Sequence, residues 1–127
     1  MSGLTRSRLI PIESRGITFC VYDSRVDSIV SYEHLLVLLH GCGGTSQTFG
    51  AMTASLPKSV VVIAYDARGH GKTTCEDKNG DMDLSIDSLV EDGADLLKSI
   101  IGEKEPFVLC GHSMGGVRDM SNNSAFQ

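Results

Sequence analysis

The sequence lacks the features that mark membrane-spanning, nucleic-acid-binding and secreted proteins. Its longest apolar stretches, Leu35 to Leu39 and Val60 to Tyr65, are far shorter than the ~20 residues that a membrane helix needs. No run of lysine and arginine is present and the formal net charge is -5, so the chain is a poor candidate for binding phosphate backbones. The apolar segment after Arg8 is too short for a signal peptide. We therefore expect a soluble cytoplasmic protein, with the nucleus as a second location, that binds neither membranes nor nucleic acid.

Closely spaced metal ligands and paired cysteines are missing as well. The four cysteines form no C-x-x-C pair, and the four histidines show no ligand spacing with them. Without a secretory signal, a disulfide framework is not expected. Cys20 and Cys110 fall inside predicted strands, where a thiol packs as a small apolar group. The sequence therefore predicts no metal and no cofactor.

The chain has 127 residues, which suits one domain of alternating strands and helices. Strands are predicted at four segments rich in branched, aromatic or aliphatic residues: 17–22, 35–39, 60–64 and 107–110. The last three are continuous apolar runs, as in strands buried on both faces. Helices are predicted at 46–56 and 85–101, the second because apolar residues recur every three or four positions. This order predicts an α/β fold with a mostly parallel sheet and flanking helices, which binds ligands at the carboxyl ends of its strands.

The strongest functional motif is Gly111-His112-Ser113-Met114-Gly115, which follows an apolar strand and fits the pattern G-x-S-x-G. A serine at the apex of a sharp turn from strand to helix needs glycines two positions before and after it, because larger side chains would collide there. The N–H groups at the start of a helix stabilise negative charge that develops beside them. The motif predicts Ser113 as a catalytic nucleophile and the Met114 N–H as an oxyanion donor.

A second glycine-rich turn, His40-Gly41-Cys42-Gly43-Gly44, follows the strand at 35–39. In an acyl-transfer enzyme this turn would supply the second oxyanion donor, which we expect to be the N–H of Cys42 or Gly43. A dinucleotide-binding loop is the alternative, since Gly41-Cys42-Gly43 begins a G-x-G-x-x-G pattern and Asp66 ends the next strand. Ser46 occupies the place of the third glycine in that pattern, which disfavours the alternative.

A third turn, at residues 66–73, ends in Gly71-Lys72-Thr73 like a phosphate-binding P-loop. Asp66 stands where that motif has its first glycine, and a carboxylate there would repel phosphate. We therefore expect Asp66, Arg68 and His70 to brace a loop beside the site through charge-assisted hydrogen bonds. His70 is predicted to be a bracing residue rather than a catalytic base.

The three turns, in this order, resemble those of the α/β-hydrolase superfamily: His40-Gly41, then Asp66-x-Arg68-Gly69-His70-Gly71, then residues 111–116. Within it, the chain is most similar to the protein phosphatase methylesterase family. That similarity extends over residues 15–116 and includes Thr18-Phe19-x-Val21-Tyr22 and Asp83-Leu84-Ser85 with Leu89-Val90.

The resemblance implies a serine esterase that removes the methyl ester from the C-terminal leucine of the type 2A protein phosphatase catalytic subunit, which would be its partner. Ser113 would form an acyl-enzyme that water then hydrolyses. The residues implied to support the site lie in the three turns: His40, Gly41, Asp66, Arg68, His70, Gly111 and Gly115. Cys42 departs from the all-glycine run associated with the methylesterase loop. Lipases, other esterases and epoxide hydrolases share the three turns and are alternatives.

The partners that a serine nucleophile needs are missing from the end of the sequence. In this fold the acid and then the histidine follow the serine, but after Ser113 the sequence has only one carboxylate, Asp119, and no histidine. We expect residues 1–14 to be a flexible N-terminus, 15–116 the N-terminal part of the hydrolase domain, and 117–127 an atypical polar tail. The chain as given is then an inactive fragment, an alternative transcript or the product of a broken gene model. A non-catalytic phosphatase-binding product and a nucleotide-binding domain are the competing hypotheses.

Overall fold

The computed structural model describes residues 4–27, 31–76 and 83–112. Its strands are β1 (Arg8–Ile12), β2 (Ile17–Asp23), β3 (His34–Leu39), β4 (Val60–Tyr65), β5 (Thr74–Cys75) and β6 (Val108–Gly111). The α-helices among the described residues are α1 (Gly50–Ala54) and α2 (Ile86–Ile100), and α1 continues a 3-10 turn at Ser46–Phe49. Two further 3-10 turns lie at Glu13–Arg15 and Ser24–Asp27.

The strands form one mixed sheet in the order β1-β2-β4-β3-β6, with β5 also paired to β2. β3 is parallel to both of its neighbours, with Leu38 opposite Ala64 of β4 and Cys110 of β6. β2 is antiparallel to β1, β4 and β5. The predicted α/β fold is confirmed, and its parallel part is the three-stranded core. The carboxyl ends of these core strands therefore lie at one edge of the sheet.

Both faces of β3 and β4 are buried, as their continuous apolar runs predicted. The same prediction is wrong for β6, which pairs only with β3 among the described strands and leaves Val108 57% exposed. Leu35, Val37 and Leu39 pack on the face that contacts Leu96 and Leu97 of α2. Alternate residues of the same strands pack on the opposite face, around Phe49: Leu38, Val62 and Ala64. This alternation follows from the two-residue period of a strand, and it places one helical segment on each side of the sheet.

Helix α2 begins and ends close to its predicted limits. The Ser85 side chain accepts a hydrogen bond from the Ser88 N–H at the start of the helix, the usual role of serine at this position. Gly102 follows the last turn with a φ of 83°, a left-handed conformation that glycine adopts without steric cost. Leu89, Gly93 and Leu97 lie on its buried face, as the apolar periodicity predicted.

Two strands lie in segments that the sequence did not predict as strands. Residues 8–12, expected to be irregular, form β1, and each of the five pairs with a residue of β2. Pro11 suits an edge strand, because proline has no N–H and a strand at the edge of a sheet has a neighbour on one side only. The segment was not predicted as a strand because it is mixed in composition, largely exposed and without an apolar pattern. Thr74–Cys75 forms β5 directly after the turn at residues 66–73 and pairs with β2. The domain limits proposed from the sequence stay predictions, and the segment 117–127 lies outside the described residues.

The α-helices of the described residues, α1 and α2, are short. None of them is both long enough and apolar enough to cross it.

Candidate active site

Two of the three glycine-rich turns lie together at the carboxyl edge of the parallel strands. The first loop (residues 40–46) follows β3, and the second loop (residues 66–73) follows β4. β6 ends beside the first loop, since the His112 N–H donates to the Leu39 carbonyl at 3.0 Å. The predicted nucleophile Ser113, its neighbour Met114 and Gly115 lie outside the described residues, so their roles stay predictions.

His40 joins the two loops from a fully buried position, with 0% of its surface exposed. Its Nε2 accepts a hydrogen bond from the Ala67 N–H at 2.9 Å, and its Nδ1 lies 2.7 Å from the Gly41 carbonyl oxygen. Because an N–H points at Nε2, that nitrogen carries no proton, and Nδ1 is the donor to Gly41. His40 is therefore a neutral imidazole with both ring nitrogens engaged by backbone groups.

His70 makes the same pair of contacts in the opposite direction. Its Nε2 accepts from the Gly43 N–H at 3.0 Å, and its Nδ1 lies 2.9 Å from the Arg68 carbonyl oxygen. The rings of His40 and His70 are 5.1 Å apart between centroids and tilted by 55°. Each histidine thus accepts a backbone N–H from the other histidine's loop, an arrangement that we call the histidine clasp.

The histidine clasp decides which amides of the first loop already have partners. The Gly43 N–H donates to His70, and the Gly44 N–H donates to the Gly41 carbonyl at 3.1 Å. Cys42, at the exposed tip of the loop, carries a free thiol. The Gly43 N–H, one of the two predicted oxyanion donors in this loop, would have to break its hydrogen bond to His70 before it could donate to a substrate. The Cys42 N–H, the other predicted donor, does not donate to His70.

Asp66 forms a second link between the loops. It is 2% exposed, and its two carboxylate oxygens accept from the Ser46 N–H at 2.9 Å and the Lys72 N–H at 3.0 Å. A Cβ atom on Gly71 would lie 2.2 Å from Asp66 Oδ2, and Gly71 has a φ of +50°. No residue with a side chain fits there without moving the carboxylate, so glycine at position 71 follows from the Asp66 contacts.

These contacts argue against both nucleotide-binding interpretations. A phosphate cradle needs backbone N–H groups directed at the ligand, but the Ser46 and Lys72 amides donate to Asp66 instead. The Thr73 hydroxyl, which would bind a metal in a P-loop, donates to the Asp66 carbonyl at 2.6 Å and accepts from the Cys20 N–H at 3.0 Å. The polar groups of the second loop therefore bond to one another and to β2, and they are not directed at a ligand.

Arg68 connects the second loop to α2 through a buried aspartate that the sequence analysis missed. Its Nε and Nη2 donate to the two carboxylate oxygens of Asp92 at 2.9 and 2.8 Å, a bidentate geometry. The hydrogen bond to Asp92 raises the pKa of Arg68 above its ordinary value. Arg15 adds a contact to Asp92 at 3.2 Å and also pairs with Asp95. The signal was present, since Asp92 interrupts the apolar face of α2 between Leu89 and Leu96.

The comparisons with known proteins agree with this architecture. Residues 31–121 match the family model described as serine aminopeptidase, S33. The chain is 34% identical to a probable protein phosphatase methylesterase 1 of Dictyostelium discoideum, over 87% of this chain and 40% of that protein. It is 39% identical to a probable protein phosphatase methylesterase 1 of Caenorhabditis elegans, over 80% of this chain and 26% of that protein. For protein phosphatase methylesterase 1 of Homo sapiens the identity is 33%, over 78% and 24% respectively.

Solved structures share the fold at lower identity. A putative lipase from Acinetobacter baumannii superposes with a TM-score of 0.74 at 21% identity, covering 96% of this chain and 38% of that one. Potato epoxide hydrolase I superposes with a TM-score of 0.72 at 19% identity, covering 92% and 34%. The chain therefore spans between about a quarter and two fifths of the length of the proteins it resembles.

Proposed function

The chain belongs to the serine aminopeptidase S33 family of α/β-hydrolases, and we propose that it carries the nucleophile and the oxyanion loop of a serine esterase that demethylates a protein. The observation that carries this proposal is the pairing of β3 with β6. His112, which directly precedes Ser113, donates to Leu39, which directly precedes the first loop. In α/β sheets, ligands bind at this edge. The names of the curated relatives support a methyl ester as the substrate.

The proposed reaction has two steps. Ser113 Oγ attacks the ester carbonyl carbon and forms a new C–O bond, while N–H groups of Met114 and the first loop stabilise the negative charge on the carbonyl oxygen. The bond to the methoxy group then breaks, and the proton that the serine hydroxyl lost is transferred to the methoxy oxygen, so that methanol leaves. Water attacks the acyl-enzyme, which releases the free carboxylate and restores the serine hydroxyl.

The histidines of the two loops do not serve as the base in this proposal. Both ring nitrogens of His40 and of His70 are engaged by backbone groups, so neither ring can take a proton without losing a contact. No histidine follows Ser113 in the sequence. We therefore propose that a polypeptide of these 127 residues alone shows no turnover, and that sequence beyond them would have to supply the acid and the base.

The test uses a peptide that ends in a leucine methyl ester. The protein expressed from its own gene is expected to convert the ester to the free acid, as followed by mass spectrometry, and Ser113→Ala is expected to abolish the conversion. A fluorophosphonate probe reports separately on whether Ser113 is nucleophilic in the 127-residue polypeptide. Strong labelling of that polypeptide, lost in Ser113→Ala, would contradict the proposed inactivity. Hydrolysis of an epoxide or a long-chain lipid ester instead of the peptide ester would identify a different α/β-hydrolase.

We propose that the protein substrate is the catalytic subunit of a type 2A protein phosphatase. We also propose that the two proteins interact in the cytoplasm and the nucleus. The support is the name that the curated relatives share, protein phosphatase methylesterase 1. Co-purification with a tagged chain tests the partner, and imaging of the same tagged chain tests the location. Binding of the phosphatase by a chain that never hydrolyses the ester would favour the non-catalytic alternative.

A further inference from the structure

We propose that His70 is a positioning residue that holds the first loop in place only while its ring is neutral, so that acid pH releases the Gly43 amide and loosens the oxyanion loop. The catalytic consequence rests on the proposed function, whereas the structural consequence does not. In this proposal His70 regulates the geometry of the site and takes no part in the transfer of the serine proton.

The hydrogen-bond partners of the His70 ring can both be satisfied only when the ring is neutral. The Gly43 N–H reaches Nε2 at 3.0 Å, while Nδ1 faces the Arg68 carbonyl oxygen at 2.9 Å. A neutral ring satisfies both contacts when Nδ1 carries the hydrogen. An imidazolium ion has a hydrogen on both nitrogens, so its Nε2–H would point at the Gly43 N–H. Protonation therefore replaces a hydrogen bond with two opposed donors.

The loop has little else to hold it at Gly43. This residue has a φ of +77°, and a Cβ built on it would meet nothing within 4 Å. Gly44, by contrast, is packed, since its Cβ would lie 3.2 Å from Thr48 Oγ1 and 3.3 Å from the Gly41 carbonyl oxygen. The hydrogen bond to His70 therefore holds the segment that carries Cys42 and Gly43, and its loss frees the tip rather than the base of the loop.

The two halves of the clasp differ in their access to protons. His40 is fully buried, whereas His70 is partly exposed, so solvent reaches the residue His70 and not His40. Among the described residues, the titratable and charged groups at this edge are His40 and Cys42 in the first loop, Asp66, Arg68 and Lys72 in the second loop, and His112 at the end of β6. Arg68 is held by Asp92, and Asp66 by the Ser46 and Lys72 amides. The acceptor at Nε2 of His70 is the group in direct hydrogen-bond contact with Gly43.

Nuclear magnetic resonance on the isotope-labelled chain tests the proposal without any substrate. The ring nitrogens of His70 and the amide of Gly43 are followed as the pH is lowered. We expect Nδ1 to carry the hydrogen at neutral pH, and the Gly43 amide shift to titrate with the same midpoint as His70. Over the same range the protection of the Gly43 amide, measured relative to its intrinsic exchange rate at each pH, should fall. His34→Gln is the matched control, because His34 is exposed at the other end of β3, and it is expected to leave the Gly43 titration unchanged.

Two variants of His70 separate positioning from simple structural support. In His70→Gln the side-chain oxygen can still accept from Gly43 but does not titrate, so the amide should stay protected with no pH step. In His70→Ala the protection of the Gly43 amide should be lost at every pH. Equal protection of Gly43 in the parent and in His70→Ala would overturn the proposal, as would a pH step that persists in His70→Gln. If His70→Ala fails to fold, the parent titration and His70→Gln still decide.

The activity arm keeps this proposal distinct from the proposed function. In an active esterase that contains these residues, His70→Gln should remove one acidic step from the pH profile of kcat, and His70→Ala should lower kcat more than it raises KM. A protein without esterase activity that shows the Gly43 titration would refute the function and keep the clasp. An active esterase whose Gly43 amide does not respond to the protonation of His70 would support the function and refute the proposed role of His70.

Discussion

Asp66 and Asp92 are buried to nearly the same degree, 2% and 1% exposed, but their charges are met by different kinds of partner. Asp66 accepts from the backbone amides of two loops, whereas Asp92 accepts from the guanidinium group of Arg68 and from Arg15. Backbone donors fix the shape of the chain that carries them. Side-chain donors instead fix the position of one element relative to another. The loop junction is therefore set by hydrogen-bond geometry and the α2 junction by ion pairing.

The largest expected effect lies at the α2 junction. Asp92→Ala leaves the mostly buried Arg68 without its bidentate partner, and we expect a loss of about 3–5 kcal/mol in the free energy of unfolding, measured by urea denaturation. Glu91→Ala removes the neighbouring exposed carboxylate and should change it by less than about 0.5 kcal/mol. High salt should not restore the loss in Asp92→Ala. Equal effects of the two substitutions would show that the Asp92 pairing adds nothing to stability.

The next effect tests how tightly the loop junction is packed. Gly71→Ala forces a Cβ against Asp66 and adds a side chain at a φ of +50°, so we expect a loss of about 2–4 kcal/mol. Gly102→Ala is the matched control, because Gly102 also has a positive φ but nothing lies within 4 Å of its Cβ. That control should cost only the backbone strain, about 1–2 kcal/mol. Similar midpoints of thermal unfolding for both variants would contradict the contact with Asp66.

Asp66→Asn should have a smaller effect and sharpens the comparison directly. One side of the carboxamide still accepts a hydrogen bond, but its NH₂ group then faces either the Ser46 or the Lys72 N–H. One buried donor loses its acceptor, which costs about 1–3 kcal/mol. Both oxygens of Asp66 accept from backbone amides, and no side-chain cation of the described residues pairs with it, so this loss should depend little on ionic strength. A loss in Asp66→Asn that shrinks strongly with salt, measured by chemical denaturation, would show that Asp66 is stabilised by an ion pair rather than by the two backbone amides.

The smallest effect concerns a third, fully exposed aspartate at the start of α2. The hydrogen bond from the Ser88 hydroxyl, followed by that from the Ser85 N–H, lowers the pKa of Asp83 to about 2. Because the folded pKa is below the usual value of about 4, the stabilisation is present above that value and is lost as the pH falls towards about 2. Asp83→Asn should therefore flatten the loss of stability over this range, as seen in urea midpoints. An unchanged acid slope would contradict it.

Much of the fold was predictable because it depends on local patterns. Continuous apolar runs identified β3, β4 and β6, and the helical period with Ser85 and Gly102 placed α2. β1 was missed because its stability comes from pairing with β2 rather than from its own pattern. For the site, the rule that ligands bind at carboxyl ends of strands brought the first and second loops together correctly.

The contacts within the site were not predictable to the same extent. Arg68 and Asp92 are 24 positions apart, and nothing local specifies that a loop arginine meets that helix residue. The clasp depends on which N–H groups point at which ring nitrogens, and that is decided by loop conformation. The sequence indicated that His40 and His70 support the site, but the structure shows that each supports the other's loop.

The alternating burial of β3 restricts where insertions and deletions can be tolerated in the sequence. Leu35, Val37 and Leu39 face α2, while Leu38 faces the opposite side. Inserting or deleting one codon within β3 would exchange these faces, and it would also move His40 out of reach of Ala67. The turn between α2 and β6, at residues 102–106, is largely exposed, so a change in its length does not exchange a buried face for an exposed one. Natural insertions and deletions should therefore collect there and be absent from β3.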